Sequence, residues 1–184
     1  MWKDTRHFRD RIELGLLMGR TALVLGRAPW IPLADNRGLQ NKFVFLTSRY
    51  GPRAEPLVLY ESFHAALQEG PVDPERAAES TLLWLGITLL ELAFQQKLED
   101  QPFFPDYLQN GQPNDYTFQS AAMRWQKDVE WEHGTELAEA IMFCLMPSRL
   151  TRRHLGTNPC ISEVLEHVLQ PLEGILYSMK APIY

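Results

Sequence analysis

At 184 residues the chain has the length of one domain and can bury a hydrophobic core without disulfides or structural metals. Its 45% hydrophobic and 22% charged residues exclude a chain held disordered by its own charge. A net charge of −5 and a sequence pI near 5.5 argue against a phosphate-backbone binder, which concentrates Lys and Arg, so nucleic acid is not expected as a partner.

The opening residues Met1-Trp2-Lys3-Asp4 lack the apolar stretch and cleavage site of a signal peptide, which points to a cytoplasmic location. From about Thr5 to Leu25, Phe8, Ile12, Leu16 and Leu23 recur near helical spacing, and Gly26 follows as a stop. Lys3, Arg6, Arg9 and Arg11 alternate with Asp4, Asp10 and Glu13, the pattern of a solvated helix face. Gly15 and Gly19 form a GxxxG pattern, read in a helix this charged as a place where a neighbour packs closely.

Between Pro29 and Pro74, prolines at 29, 32, 52, 56, 71 and 74 exclude long helices. Phe43-Val44-Phe45-Leu46 and Leu57-Val58-Leu59-Tyr60, separated by Tyr50-Gly51-Pro52, predict a small β-hairpin. Pro74 to Gln96 predicts a helix, apolar nearly all round from Leu82 to Phe94. That run is about 13 residues and contains Glu91, whereas a bilayer span takes about 20, so it is expected to be a core helix.

Pro102, Pro105, Gly111 and Pro113 mark a loop whose Phe103, Phe104 and Tyr107 suit either a docking segment or an apolar lid. Helices are then expected over Thr117–His133, Thr135–Met146 and Pro159–Met179, the last capped by Asn158 and kinked or divided at Pro171. Trp125 and Val129 share a core face, while Trp131 falls off it and is the candidate interface residue. Cys144 and Cys160 read as buried thiols, and His7, His64, His133, His154 and His167 lack metal-ligand spacing. No cofactor or metal is expected, and neither a G-x-S-x-G elbow nor a reactive cysteine context is present.

The order of elements and Ser80-Thr81-Leu82-Leu83-Trp84-Leu85-Gly86-Ile87-Thr88-Leu89-Leu90-Glu91-Leu92, set against S-D-V-W-S-x-G-x-x-L-x-E-L, resemble the C-terminal lobe of a protein kinase. Ala140 to Leu145 and Ile161-Ser162-Glu163-Val164-Leu165 are similar to the closing helices of that lobe. Ala28-Pro29-Trp30-Ile31, the Phe43–Leu46 strand, Leu85 to Leu92, Ala121-Ala122-Met123-Arg124-Trp125 and Gln170-Pro171-Leu172-Glu173 are similar, more narrowly, to a fungal kinase-like domain of unknown function found after prion-inhibition or HeLo-type domains. The resemblance covers nearly the whole chain.

Kinase chemistry requires an Asp at the substrate hydroxyl, an Asn and a second Asp for Mg²⁺, a Lys on the phosphates and a Gly-rich cover. In place of the H-R-D-L-x-x-x-N loop stands Pro29-Trp30-Ile31-Pro32-Leu33-Ala34-Asp35-Asn36, and in place of D-F-G stands Tyr60-Glu61-Ser62-Phe63. Thr81 occupies the position of the Asp that anchors the catalytic loop. The expectation is a mainly α, kinase C-lobe-like helical bundle with a small β-hairpin, one pseudokinase-like domain over 1–184 or a fragment of a longer protein. It would serve as an inactive interaction or regulatory module in an intracellular fungal signalling or self-recognition protein, with a protein partner or a second copy bound and no membrane span. The alternative is a divergent enzyme or small-molecule binder using a remnant cleft at Asp35, Asn41 and Glu61.

Overall fold

The apolar periods of the sequence become helices that pack around one of their number. The computed structural model describes residues 8–25, 43–48, 51–58, 74–146 and 158–179, and of both strands it describes the backbone only. Helix α1 spans Phe8–Leu25, strands β1 and β2 span Phe43–Ser48 and Gly51–Val58, and α2 spans Pro74–Phe94. Two 3₁₀ turns, Leu98–Asp100 and Phe104–Tyr107, lead into α3 (Asp115–Trp125), and a third, Gln126–Asp128, leads into the short α4 (Val129–His133). Then come α5 (Thr135–Leu145) and α6 (Asn158–Val164), which a π-turn over Leu165–Leu169 joins to α7 (Gln170–Ser178). The described residues are mainly helical.

A helix apolar on every side has to be surrounded, and α2 is. Leu82, Leu85, Ile87, Leu90 and Leu92 are all buried and belong to one continuous core cluster. On one flank α1 closes on it at Gly15, where an added Cβ would lie 2.6 Å from Leu89 Cδ2. On the other, α5 approaches so closely that a Cβ on Gly86 would lie 2.9 Å from Cys144 Cβ. Gly19 receives Leu169 in the same way, so the GxxxG pattern is a packing device. Inside this core the Thr88 hydroxyl donates to the Trp84 carbonyl at 2.8 Å, within its own helix.

Several boundaries differ from the sequence expectation, each for a backbone reason. Helix α2 stops at Phe94 rather than Gln96 because Gln95 takes the left-handed conformation, φ 56°, that ends a helix. The stretch expected as one helix from Thr117 to His133 starts at Asp115, where Asn114 and Thr117 form a reciprocal capping box, and tightens into the 3₁₀ turn after Trp125. Helix α5 ends at Leu145, one residue short of Met146. The last helix is divided near Pro171, as expected, and the division takes the form of the π-turn. Pro171 has no N–H for the His167 carbonyl and its ring crowds that carbonyl, so the preceding turn widens.

The backbones of β1 and β2 pair antiparallel with Phe43 opposite Val58 and Leu46 opposite Glu55, with an irregularity between Leu46 and Ser48. The second strand begins at Gly51 rather than Leu57. Leu59 and Tyr60 lie outside the described residues.

Arg11 is a further correction. It was expected on a solvated face, yet it is 8% exposed, with Nη1 donating to the Leu92 carbonyl at 3.1 Å and also to the Ala93 carbonyl. The last carbonyls of a helix have no intrahelical partner, and the Arg11 guanidinium supplies one for α2 while pinning α1 beside it.

Candidate functional site

Residues on a helix advance about 100° each, so two positions after a buried residue the side chain faces nearly the opposite way. On α4 this separates Val129, fully buried, from Trp131, which is 91% exposed. The helix is held from both ends: Gln126 Nε2 donates to the Ala138 carbonyl at 3.0 Å, and Gly134, with φ 92° and ψ 164°, turns the chain directly into α5. Only glycine adopts that conformation without strain. Asp128, Glu130 and Glu132, close to Trp131 in the sequence, are exposed as well.

The loop residues named with Trp131 are placed differently. Phe104 is 7% exposed, its ring 5.6 Å from that of Phe118, and it belongs to the core. Phe103 is half-buried under the Arg124 guanidinium, 4.5 Å from the ring centre, and Arg124 also reaches Asp106 at 3.4 Å. Tyr107 is half-buried and its carbonyl accepts from Thr117 Oγ1 at 2.9 Å, fastening the loop to the start of α3. The segment covers α3 through Phe104 and gives its other rings local partners.

Asp35, Asn41 and Glu61, the remnant-cleft residues, lie outside the described residues, as do His7, His64 and His154. Thr81 is buried in α2. Among the described residues no group of three or more His, Cys, Asp or Glu side chains could hold a metal ion. Cys144 and Cys160 are both buried; burial pushes the Cys144 thiol far up, away from the thiolate a nucleophile needs.

A groove of about 630 Å³ that the sequence did not announce runs along α5. Its floor is the face of α5 turned away from α2, where Thr135, Ala138, Met142 and Met146 recur at helical spacing. One wall comes from Gln126 and Glu130, whose Oε1 accepts from Thr135 Oγ1 at 3.3 Å. The other comes from the π-turn and Pro171: Glu166 and His167 stand there, with the His167 ring 4.9 Å from that of Phe143. Glu139 completes the rim, and none of the described lining residues is a lysine or an arginine. A π-turn at a groove wall matches the tendency of such turns to occur where a helix carries function.

Two titrating groups lie elsewhere, Glu91 buried and His133 half-buried. Glu91, 4% exposed, accepts the Leu98 N–H at 2.9 Å; burial pushes its carboxyl up to about 7, against the opposing effect of that hydrogen bond. His133 lies stacked on Phe8 at 5.1 Å and edge-on to Phe94, and burial followed by the nearby Arg11 charge lowers its pKa. Arg11 Nε and His133 Nε2 are both buried without a hydrogen-bond partner. Arg11 and His133 tie α1, α2 and α4 together, Glu91 fastens α2 to the 3₁₀ turn that follows it, and none of the three lines the groove.

No family model, curated protein or solved structure matches this chain. Among the described residues no helix is long and apolar enough to cross a membrane.

Proposed function

We propose that the chain is a non-catalytic interaction module that docks a protein partner, or a second copy of itself, through the surface around Trp131. The observation that carries this reading is a tryptophan 91% exposed on a helix whose neighbouring Val129 is fully buried, so that a large aromatic stands on a fixed support. Such residues supply much of the energy at the centre of protein interfaces. The finer reading, a degenerate kinase C-lobe-like fold with its small hairpin in an intracellular fungal signalling or self-recognition protein, belongs to the same proposal. The order of motifs along the sequence supports it, together with the position of the Leu82–Phe94 run as the buried central helix. No observation favours the alternative of an enzyme using Asp35, Asn41 and Glu61.

Two measurements on the purified chain test the proposal. Mg-ATP is expected to leave the melting temperature unchanged, since a ligand bound only by the folded state must raise it. Trp131→Ala, a surface change expected to alter stability by less than about 0.5 kcal/mol, is expected to abolish capture of a partner that the unaltered chain retains. A Mg-ATP-dependent rise in melting temperature, or equal capture by the variant, would overturn the reading.

A further inference from the structure

We propose that the groove along α5 receives a basic, amphipathic helical segment of a protein partner. The inference rests on the interaction-module reading and names the chemistry of what is bound. Three features of the groove select the occupant. Its floor offers Met142 and Met146, half-buried and unbranched side chains that adapt to whatever apolar surface meets them. Its rim carries Glu130, Glu139 and Glu166, one or more on each side, and no lysine or arginine among the described lining residues. Its length along α5 from Thr135 to Met146 is about 16 Å at 1.5 Å per residue, room for about three turns of a docked helix.

An apolar floor between acidic walls is complementary to a helix with aliphatic residues on one face and Lys or Arg flanking them. An acidic partner would set like charges against all three carboxylates. An anionic membrane would meet the same repulsion. A second copy of this chain is the remaining competitor, and Arg9 and Arg20, both exposed on α1, give it some complementary charge. Both, however, are already engaged: Arg9 pairs with Glu13 of α1 at 3.1 Å and Arg20 with Glu173 of α7 at 2.6 Å.

The test is a titration of the whole chain, labelled at its methionine methyls, with a synthetic helix-forming Leu/Lys peptide, and in parallel with a Leu/Glu peptide of equal length. Saturable shifts of Met142 and Met146 are expected, with buried Met18 unmoved as the internal reference. The exposed pair Glu139→Lys and Glu166→Lys together should weaken Leu/Lys binding by about tenfold or more, while the variant keeps its melting temperature. Absence of shifts at Met142 and Met146, equal affinity in the double variant, or equal binding of the Leu/Glu peptide would overturn the proposal. Shifts at the same methyls on concentrating the chain alone would overturn it in favour of a second copy. Failure of the interaction-module reading is seen separately, as an Mg-ATP effect or Trp131-independent capture, neither of which changes the peptide titration.

Discussion

The two long faces of α5 are built on opposite principles. Toward α2 it is packed to the limit: Gly86 lies against Cys144 and Leu145 so closely that no side chain fits between the helices, and Leu137, Ile141 and Cys144 are buried along that face. Toward the π-turn the same helix shows Met142 and Met146 to a groove that no other described element fills. Dense, glycine-spaced packing fixes a helix in one position, and flexible methionines on its far side leave a surface that can adapt. The difference assigns stability to one face and recognition to the other.

The largest effect should come from closing the tight face. Gly86→Val inserts branched carbon where even a Cβ would be 2.9 Å from Cys144 Cβ and from Leu145 Cδ2, and it should destabilise the chain by about 3 kcal/mol, read as a fall in the urea midpoint. Gly15→Ala should be milder, because its Cβ would meet the end of the flexible Leu89 side chain.

Next in size is a pH effect within the packed core. With its folded-state carboxyl raised from 4.5 to about 7, Glu91 holds a proton in the folded chain more tightly than in the unfolded one. Its contribution to stability is therefore complete below about pH 4.5 and lost as pH rises through 7. Glu91→Gln keeps an acceptor for the Leu98 N–H and removes the titration, so its stability relative to the unaltered chain should rise by about 2 to 3 kcal/mol between pH 4 and pH 9. His133 acts in the other sense: with its pKa lowered, its contribution is present above 6.5 and lost as pH falls below it. A stability difference for Glu91→Gln that is flat with pH would separate Glu91 from the core role given to it.

The smallest effect should fall on the open face. Met142→Ala removes a half-buried side chain and should cost about 1 kcal/mol or less, while weakening peptide binding in the groove. A loss as large as that of Gly86→Val would mean that the two faces are not distinct.

What could be read from the sequence follows the same division. Helical spacing located α1, α2 and α5, put Trp125 and Val129 inside and Trp131 outside, and marked Pro171 as the place where the last helix divides. These are local properties, set by 3.6-residue periodicity and by a missing N–H. Arg11 escaped because its partners, the Leu92 and Ala93 carbonyls, lie on another helix far along the chain. The groove escaped for a related reason: its walls come from Glu130 and from Glu166 and His167, and Met142 and Met146 have the spacing of ordinary core residues. In one dimension an acidic rim looks like any solvated face.

The contrast between the faces can be measured directly by adding a soluble paramagnetic agent, without any peptide, to the chain labelled at both its methionine and its leucine methyls. The account predicts strong relaxation of the Met142 and Met146 methyls and protection of the Leu145 methyls on the other side of the same helix. Equal protection of all three would show that the chain fills the groove itself, and would contradict the division of α5 into a packed face and a binding face.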